Sequence, residues 1–178
     1  MAIAAHLDPL ALALLLVLGT VKNAPDCWLL CTQEDGHERL IQWVEDFLKF
    51  TALHPDPASV GGGFDGVLDR VNPLRKDFRG IPPEDIDLDY RHVCNTCQQH
   101  LCRDGYCKRN PTDDCRFGFP KEQQPQSRIL ADDKGRYEIQ LARNEERLNV
   151  HIKLVLLTWR ANIDIQVVID PDVVRRYV

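Results

Sequence analysis

The chain has no excess of positive charge. It carries 22 Lys and Arg against 27 Asp and Glu, a formal net charge of −5, which argues against a protein that coats nucleic acid by bulk electrostatics. It has no apolar run long enough to span a bilayer. LALALLLVLGTV, at Leu10–Val21, is twelve residues, whereas a spanning helix needs about 20. That run suits a signal-peptide core in length, but no Lys or Arg precedes it and Asp8 stands where a positive segment belongs. A buried strand or core helix is expected there, with secretion as the alternative. The sequence has no internal repeat, and no GxxxxGK[ST] loop to cradle nucleotide phosphates.

The charge is uneven. Residues 1–120 hold 12 Lys and Arg against 18 Asp and Glu, and residues 121–178 hold 10 against 9. Phosphate contacts would therefore be local, through Lys108, Arg109, Arg116, Arg160, Arg175 and Arg176. Taken singly, each reads as an ordinary solvated cation. The apolar content of 44% suffices for a core.

What the sequence does have is a concentration of metal-capable side chains. CNTCQQHLCRDGYCKRNPTDDCRFGFP, from Cys94 to Pro120, holds five of the seven cysteines and one histidine. Zn²⁺ takes four N or S donors at tetrahedral corners, about 2.0–2.3 Å from the metal. Close pairs such as Cys94/Cys97 and His100/Cys102 let a tight turn present two donors at once. Gly105, Asn110-Pro111 and Asp113-Asp114 supply turn chemistry. The preferred set is His100, Cys102, Cys107 and Cys115, with Cys94 and Cys97 as substitutes or outer-shell thiols. The competing reading is a disulfide-linked loop in an exported protein. An odd cysteine count leaves one thiol over in that reading and the histidine idle.

Leu40, Ile41, Val44, Phe47 and Leu48 recur at helical spacing, which predicts an amphipathic helix within His37–Leu53. The Gly- and Pro-rich residues 54–66 break it. Pro82-Pro83 opens a second helix running through Asp87–Val93 into the cysteines. KEQQPQS reads as loop, Tyr137–Ala142 as a strand, and Asn144–Asn149 as a charged connector. The apolar run His151–Trp159 is helix or strand, Ile163–Ile169 is strand-like, and Asp170-Pro171 caps a last helix holding Tyr177.

Three ordered motifs, CQQHLCRDGYC…CRFGFPKE, LARNEERLN and TWRANIDIQVVI, resemble the replication-initiator (Rep) domain of Helitron transposon replicase–helicases. The match covers about residues 87–178, with a weaker one at KNAPD (Lys22–Asp26). The resemblance implies an α+β, HUH-endonuclease-like fragment with an inserted zinc knuckle and a C-terminal tyrosine helix. It implies single-strand DNA nicking and strand transfer in a nuclear rolling-circle transposition protein fused to a helicase. Tyr177 resembles the first nucleophilic tyrosine, while a second would fall beyond Val178. Phenol is a weak nucleophile, so family members polarise the phosphate with a metal held by a His-hydrophobic-His pair. No His-x-His occurs here, so the ligands for catalytic Mg²⁺ or Mn²⁺ are missing and the fragment is expected to be inactive.

The expected organisation is a degenerate apolar segment at 1–36 and a helical region with a flexible loop at 37–93. A Cys/His cluster at 94–120 and an α/β segment at 121–178 ending in the tyrosine helix complete it. Structural Zn²⁺ is the expected cofactor and single-stranded DNA the expected partner, with no membrane association and the remainder of the replicase–helicase chain missing. Arg116, Phe117, Phe119, Arg160, Arg175 and Arg176 are the candidate DNA contacts, since guanidinium planes and aromatics suit unstacked bases. Phe117 and Phe119 equally suit a small core under the loop, and Trp159 a core position beside a strand. The rival from another class is a zinc-dependent protein-interaction module with no nucleic-acid role.

Overall fold

The computed structural model describes residues 27–33, 35–61, 81–108, 113–133, 135–165 and 169. Within them the chain is mixed α and β, with short helices and small two-stranded sheets. It divides into two compact units, one built from Met1–Phe50, Ser127–Gln140 and Gln166–Val178, the other from Thr51–Gln126 and Leu141–Ile165. The apolar run at Leu10–Val21 and the expected tyrosine helix lie outside the described residues.

In the first unit, α1 (Cys27–Thr32) is followed by α2 (Gly36–Gln42), which continues as a wide turn over Trp43–Phe47. Leu40, Val44 and Leu48 are buried at intervals of four. A spacing of four outruns the 3.6 residues of an α-turn. The wide turn, in which Leu48 N–H reaches back to Trp43 O at 3.1 Å, keeps the three on one face. The helix ends at Leu48 rather than at the expected Leu53, because Lys49 adopts φ 59° and turns the chain into β1 (Phe50–Thr51). Gly36 is forced by close approach: a Cβ there would lie 1.8 Å from the carbonyl oxygen of Leu30.

The same unit holds an antiparallel hairpin of β2 (Arg128–Ala131) and β3 (Tyr137–Gln140), in register Arg128↔Gln140 to Ala131↔Tyr137. Its turn is closed by Asp132, whose carboxylate accepts the Arg136 backbone N–H at 2.9 Å and Arg136 Nε at 2.6 Å. Gly135 takes the left-handed conformation the turn requires (φ 72°).

In the second unit, a tight turn at Pro83–Asp85 leads into α3 (Ile86–Val93), which runs on as a wide helical turn through Cys94–Gln98. The undecided run resolves into both forms, β4 (His151–Ile152) and then α4 (Lys153–Trp159). Leu156 and Leu157 of α4 pack on Tyr90, Val93 and Cys94 of the α3 segment and on Leu148.

One expectation is corrected here. Ile163–Ile165 is not in a strand. The buried amide of Gln98 takes the place of a neighbouring strand, donating to Ile163 O at 2.8 Å and accepting from Ile163 N at 2.7 Å. Asn144–Asn149 is a connector, and Glu145, Leu148 and Asn149 within it are buried. The adjacent guanidinium of Arg143, also buried, donates to the carbonyl oxygens of Glu145 and Leu148.

Candidate metal centre

The segment from Gln99 onward is held to the second unit by backbone. Gln99 bridges Leu148, and His100 N–H donates to Arg147 O at 2.8 Å. Cys107 N–H and Tyr106 N–H both return to Arg103 O, at 2.8 and 3.2 Å, while Gly105 at φ 76° makes the turn between them. A second turn follows Cys115, whose carbonyl accepts Gly118 N–H at 2.8 Å. The two turns are joined by Arg116 N–H donating to Cys107 O at 3.0 Å.

These turns bring His100, Cys102, Cys107 and Cys115 together, with their ligand atoms all within 4.8 Å of one another. Cys115 Sγ lies 3.2 Å from His100 Nε2. One imidazole and three sulfurs at this separation are a donor set that can hold a metal ion. Burial works against ionising Cys115, but the backbone N–H groups of Phe119 and Phe117 hold its thiol below the ordinary value. Burial and the neighbouring Arg147 push His100 down, which favours the neutral, ligating imidazole. The buried donors Cys107 and Cys115 pack with Phe119 in a small apolar cluster. The Phe119 ring stacks on His100 with centroids 4.3 Å apart.

Cys94 and Cys97, the proposed substitutes, are not in this cluster. They belong to the helical continuation of α3 and pack into the core with Tyr90 and Leu156. Burial pushes their thiols up, to about 12 for Cys94 and about 11 for Cys97, so both are neutral. Instead of a metal, Cys94 faces a buried polar network. His151 Nδ1 is 3.0 Å from Asn149 O, and its Nε2 is 2.8 Å from the Tyr90 hydroxyl and 3.9 Å from Cys94 Sγ. A carbonyl only accepts, so Nδ1 carries the proton and Nε2 accepts from Tyr90. Cys94, Cys97, Cys102, Cys107 and Cys115 are free thiols.

The candidate DNA contacts separate into three groups. Arg116 and Phe117 are exposed beside the donors, and the Arg116 Cζ lies 4.6 Å from the ring centres of both Phe117 and Tyr106. Phe119 is buried under the loop, covered on one face by His100. Arg160, expected at a phosphate, is turned inward: it is 5% exposed and both arms of its guanidinium bind Asp89. Arg175, Arg176 and Tyr177 lie outside the described residues. Trp159, expected in the core, is instead 60% exposed.

Tyr106 is the residue that sequence reasoning passed over. It is 62% exposed and shares the Arg116 guanidinium with Phe117. Its signal was adjacency, an aromatic directly before a ligand cysteine in a cationic loop. Comparison with family models, with curated proteins and with solved structures finds no match for this chain.

Proposed function

We propose that the chain is a fragment of a Helitron-type Rep protein whose Cys/His loop is a zinc knuckle that engages single-stranded DNA without cleaving it. The observation that carries the metal part is the convergence of His100, Cys102, Cys107 and Cys115 within 4.8 Å. Three thiolates and an imidazole are the ligand chemistry of closed structural zinc sites, and the loop's small apolar cluster could not order it unaided. The DNA part is supported by the exposed Tyr106, Arg116 and Phe117 beside that site, with Lys108 and Lys121 nearby in sequence. Stacked guanidinium and aromatic groups recognise unpaired bases whatever their sequence. The placement in the Rep family, the nuclear setting and the role of Tyr177 rest on motif resemblance. With no His-x-His pair to hold a catalytic Mg²⁺ or Mn²⁺, nicking is not part of the proposal.

Metal analysis of the purified chain is expected to give one zinc per chain, lost with Cys115→Ser. Retention on single-stranded DNA is expected to fall steeply with salt, since phosphate contacts release counterions. A covalent DNA adduct on Tyr177 in the presence of Mg²⁺ or Mn²⁺ would overturn the inactive assignment. A second reading, a zinc-dependent protein-interaction module in an α+β scaffold, draws support from the exposed Leu101 (69%) and Trp159. Binding that is indifferent to salt and to DNA favours that one.

A further inference from the structure

The four donors are unequal. Cys107 and Cys115 are buried, whereas Cys102 is partly open to solvent. The Cys102 and Cys115 sulfurs lie within 4.8 Å of each other, and a disulfide requires them to close to about 2.05 Å. One accessible sulfur beside one buried sulfur is the arrangement of an attacking thiol and its resolving partner.

We infer that Cys102 and Cys115 form a peroxide-sensitive pair whose oxidation to a disulfide dismantles the metal site and releases its ion. The inference rests on the zinc reading above and adds a regulatory property to the same residues. The Cys102 thiolate attacks one oxygen of a hydroperoxide. An S–O bond forms, the O–O bond breaks, and hydroxide leaves when the oxidant is hydrogen peroxide. The Cys115 thiolate then attacks the sulfenic sulfur, forming the S–S bond and expelling a second hydroxide. Two thiolates lose two electrons in all, and the peroxide gains them. His100 and Cys107 remain, and two donors do not make a closed tetrahedral site. The turns that carry Tyr106, Arg116 and Phe117 then lose their common anchor.

The test uses the full chain, loaded with Zn²⁺ and titrated with hydrogen peroxide. A colorimetric chelator follows zinc, thiol counting follows oxidation, and peptide mapping follows the new bond. The expected result is one zinc released for each two thiols lost, a Cys102–Cys115 linkage, and recovery on adding a dithiol with zinc. Cys102→His, which keeps a nitrogen donor but cannot form the bridge, is expected to slow release at least 10-fold. Cys97→Ser is expected to release zinc as the parent does. A bridge between Cys94 and Cys97, or one that includes Cys107, overturns the proposal. A chain that takes up no zinc overturns the metal reading and the switch together; one that loads zinc and keeps it under peroxide overturns the switch alone.

Discussion

Asp89 and Arg160 meet in a two-armed ion pair, Nη1 to Oδ2 at 2.7 Å and Nη2 to Oδ1 at 2.8 Å, with both side chains withdrawn from water. The pair ties the middle of α3 to the residue that ends α4, where Arg160 holds φ 55° and its N–H closes on Leu156 O at 2.8 Å. Planar, bidentate geometry is what only arginine offers a carboxylate. It also commits to a buried carboxylate a cation that the sequence offered as a candidate DNA contact or a solvated surface charge.

Removing one partner of such a pair leaves a buried, uncompensated charge, which costs about 3–5 kcal/mol. Arg160→Ala and Asp89→Ala are each expected to destabilise the second unit by that amount in urea unfolding. The exposed pair Lys153–Asp87, at 2.7 Å, is the internal comparison, and Lys153→Ala is expected to cost much less, as removal of a solvent-screened pair does. Equal costs for the two pairs would show that burial does not control the Asp89–Arg160 contribution. Arg160→Ala is also expected to leave the salt dependence of DNA retention unchanged, because its guanidinium faces Asp89.

His54 and His151 are buried, and burial lowers the proton affinity of both below the usual imidazole value. In the unfolded chain each titrates near the ordinary pKa of about 6.5. Between that value and the lower folded one, the unfolded state binds more protons, so stability rises with pH across the window. The protein is therefore expected to be most stable above pH ~6.5 and to weaken steadily as pH falls below it. Protonation of the His100/Cys102/Cys107/Cys115 cluster in a metal-bound chain would add to the same trend, so the informative quantity is the difference from His151→Gln, measured on metal-free protein. That variant is expected to be less stable at pH 8 and to show a shallower loss on acidification. Parallel pH profiles for variant and parent would remove His151 from the account.

Gly36 sits where α2 begins against the last part of α1. A methyl group placed 1.8 Å from the Leu30 carbonyl oxygen cannot be accommodated without moving backbone. Gly36→Ala is expected to destabilise the first unit by about 2–3 kcal/mol, near the upper end of overpacking costs, although alanine is the better helix former. Gly118→Ala has open space around its Cβ and only the left-handed conformation (φ 70°) against it, so its cost is expected to be smaller, about 1 kcal/mol. Thermal unfolding of the two variants distinguishes a steric cause from a conformational one, and the reverse order would refute the assignment for Gly36.

The clustering of His100, Cys102, Cys107 and Cys115 was legible because all four fall within one short segment, where spacing and turn residues alone restrict the geometry. The start of α3 was legible for the same local reason, through Pro83 and the acids after it. What escaped were features decided by burial and by backbone partners that residue type does not reveal. Arg143 and Glu145 look solvated by residue type, yet the carbonyls of their own folded-back loop receive the guanidinium. Ile163–Ile165 has strand-forming residues, but a glutamine 65 positions away supplies the hydrogen bonds a strand would have used. Cys94 and Cys97 have metal-ligand spacing, but helical continuation of α3 points them into the core. Spacing records what residues are able to do, and burial decides what they do.

The surface beside the donors carries the last prediction. Arg116 lies against both Tyr106 and Phe117, whose ring centres are 5.9 Å apart and inclined at 39°. A base stacked on this group gains ring contact from Tyr106 or Phe117 and charge from Arg116, so the two contributions separate experimentally. Tyr106→Ala is expected to weaken single-stranded DNA binding by about 1–3 kcal/mol, the usual range for a lost stacking partner, while leaving the salt slope intact. Arg116→Gln is expected to lower that slope by about 0.7, the single-strand value for one phosphate contact. Both variants leave every donor in place, so zinc content is expected to match the parent. If Tyr106→Ala and Arg116→Gln bind like the parent at all salt concentrations, this face does not contact DNA, and the protein-interaction reading takes its place.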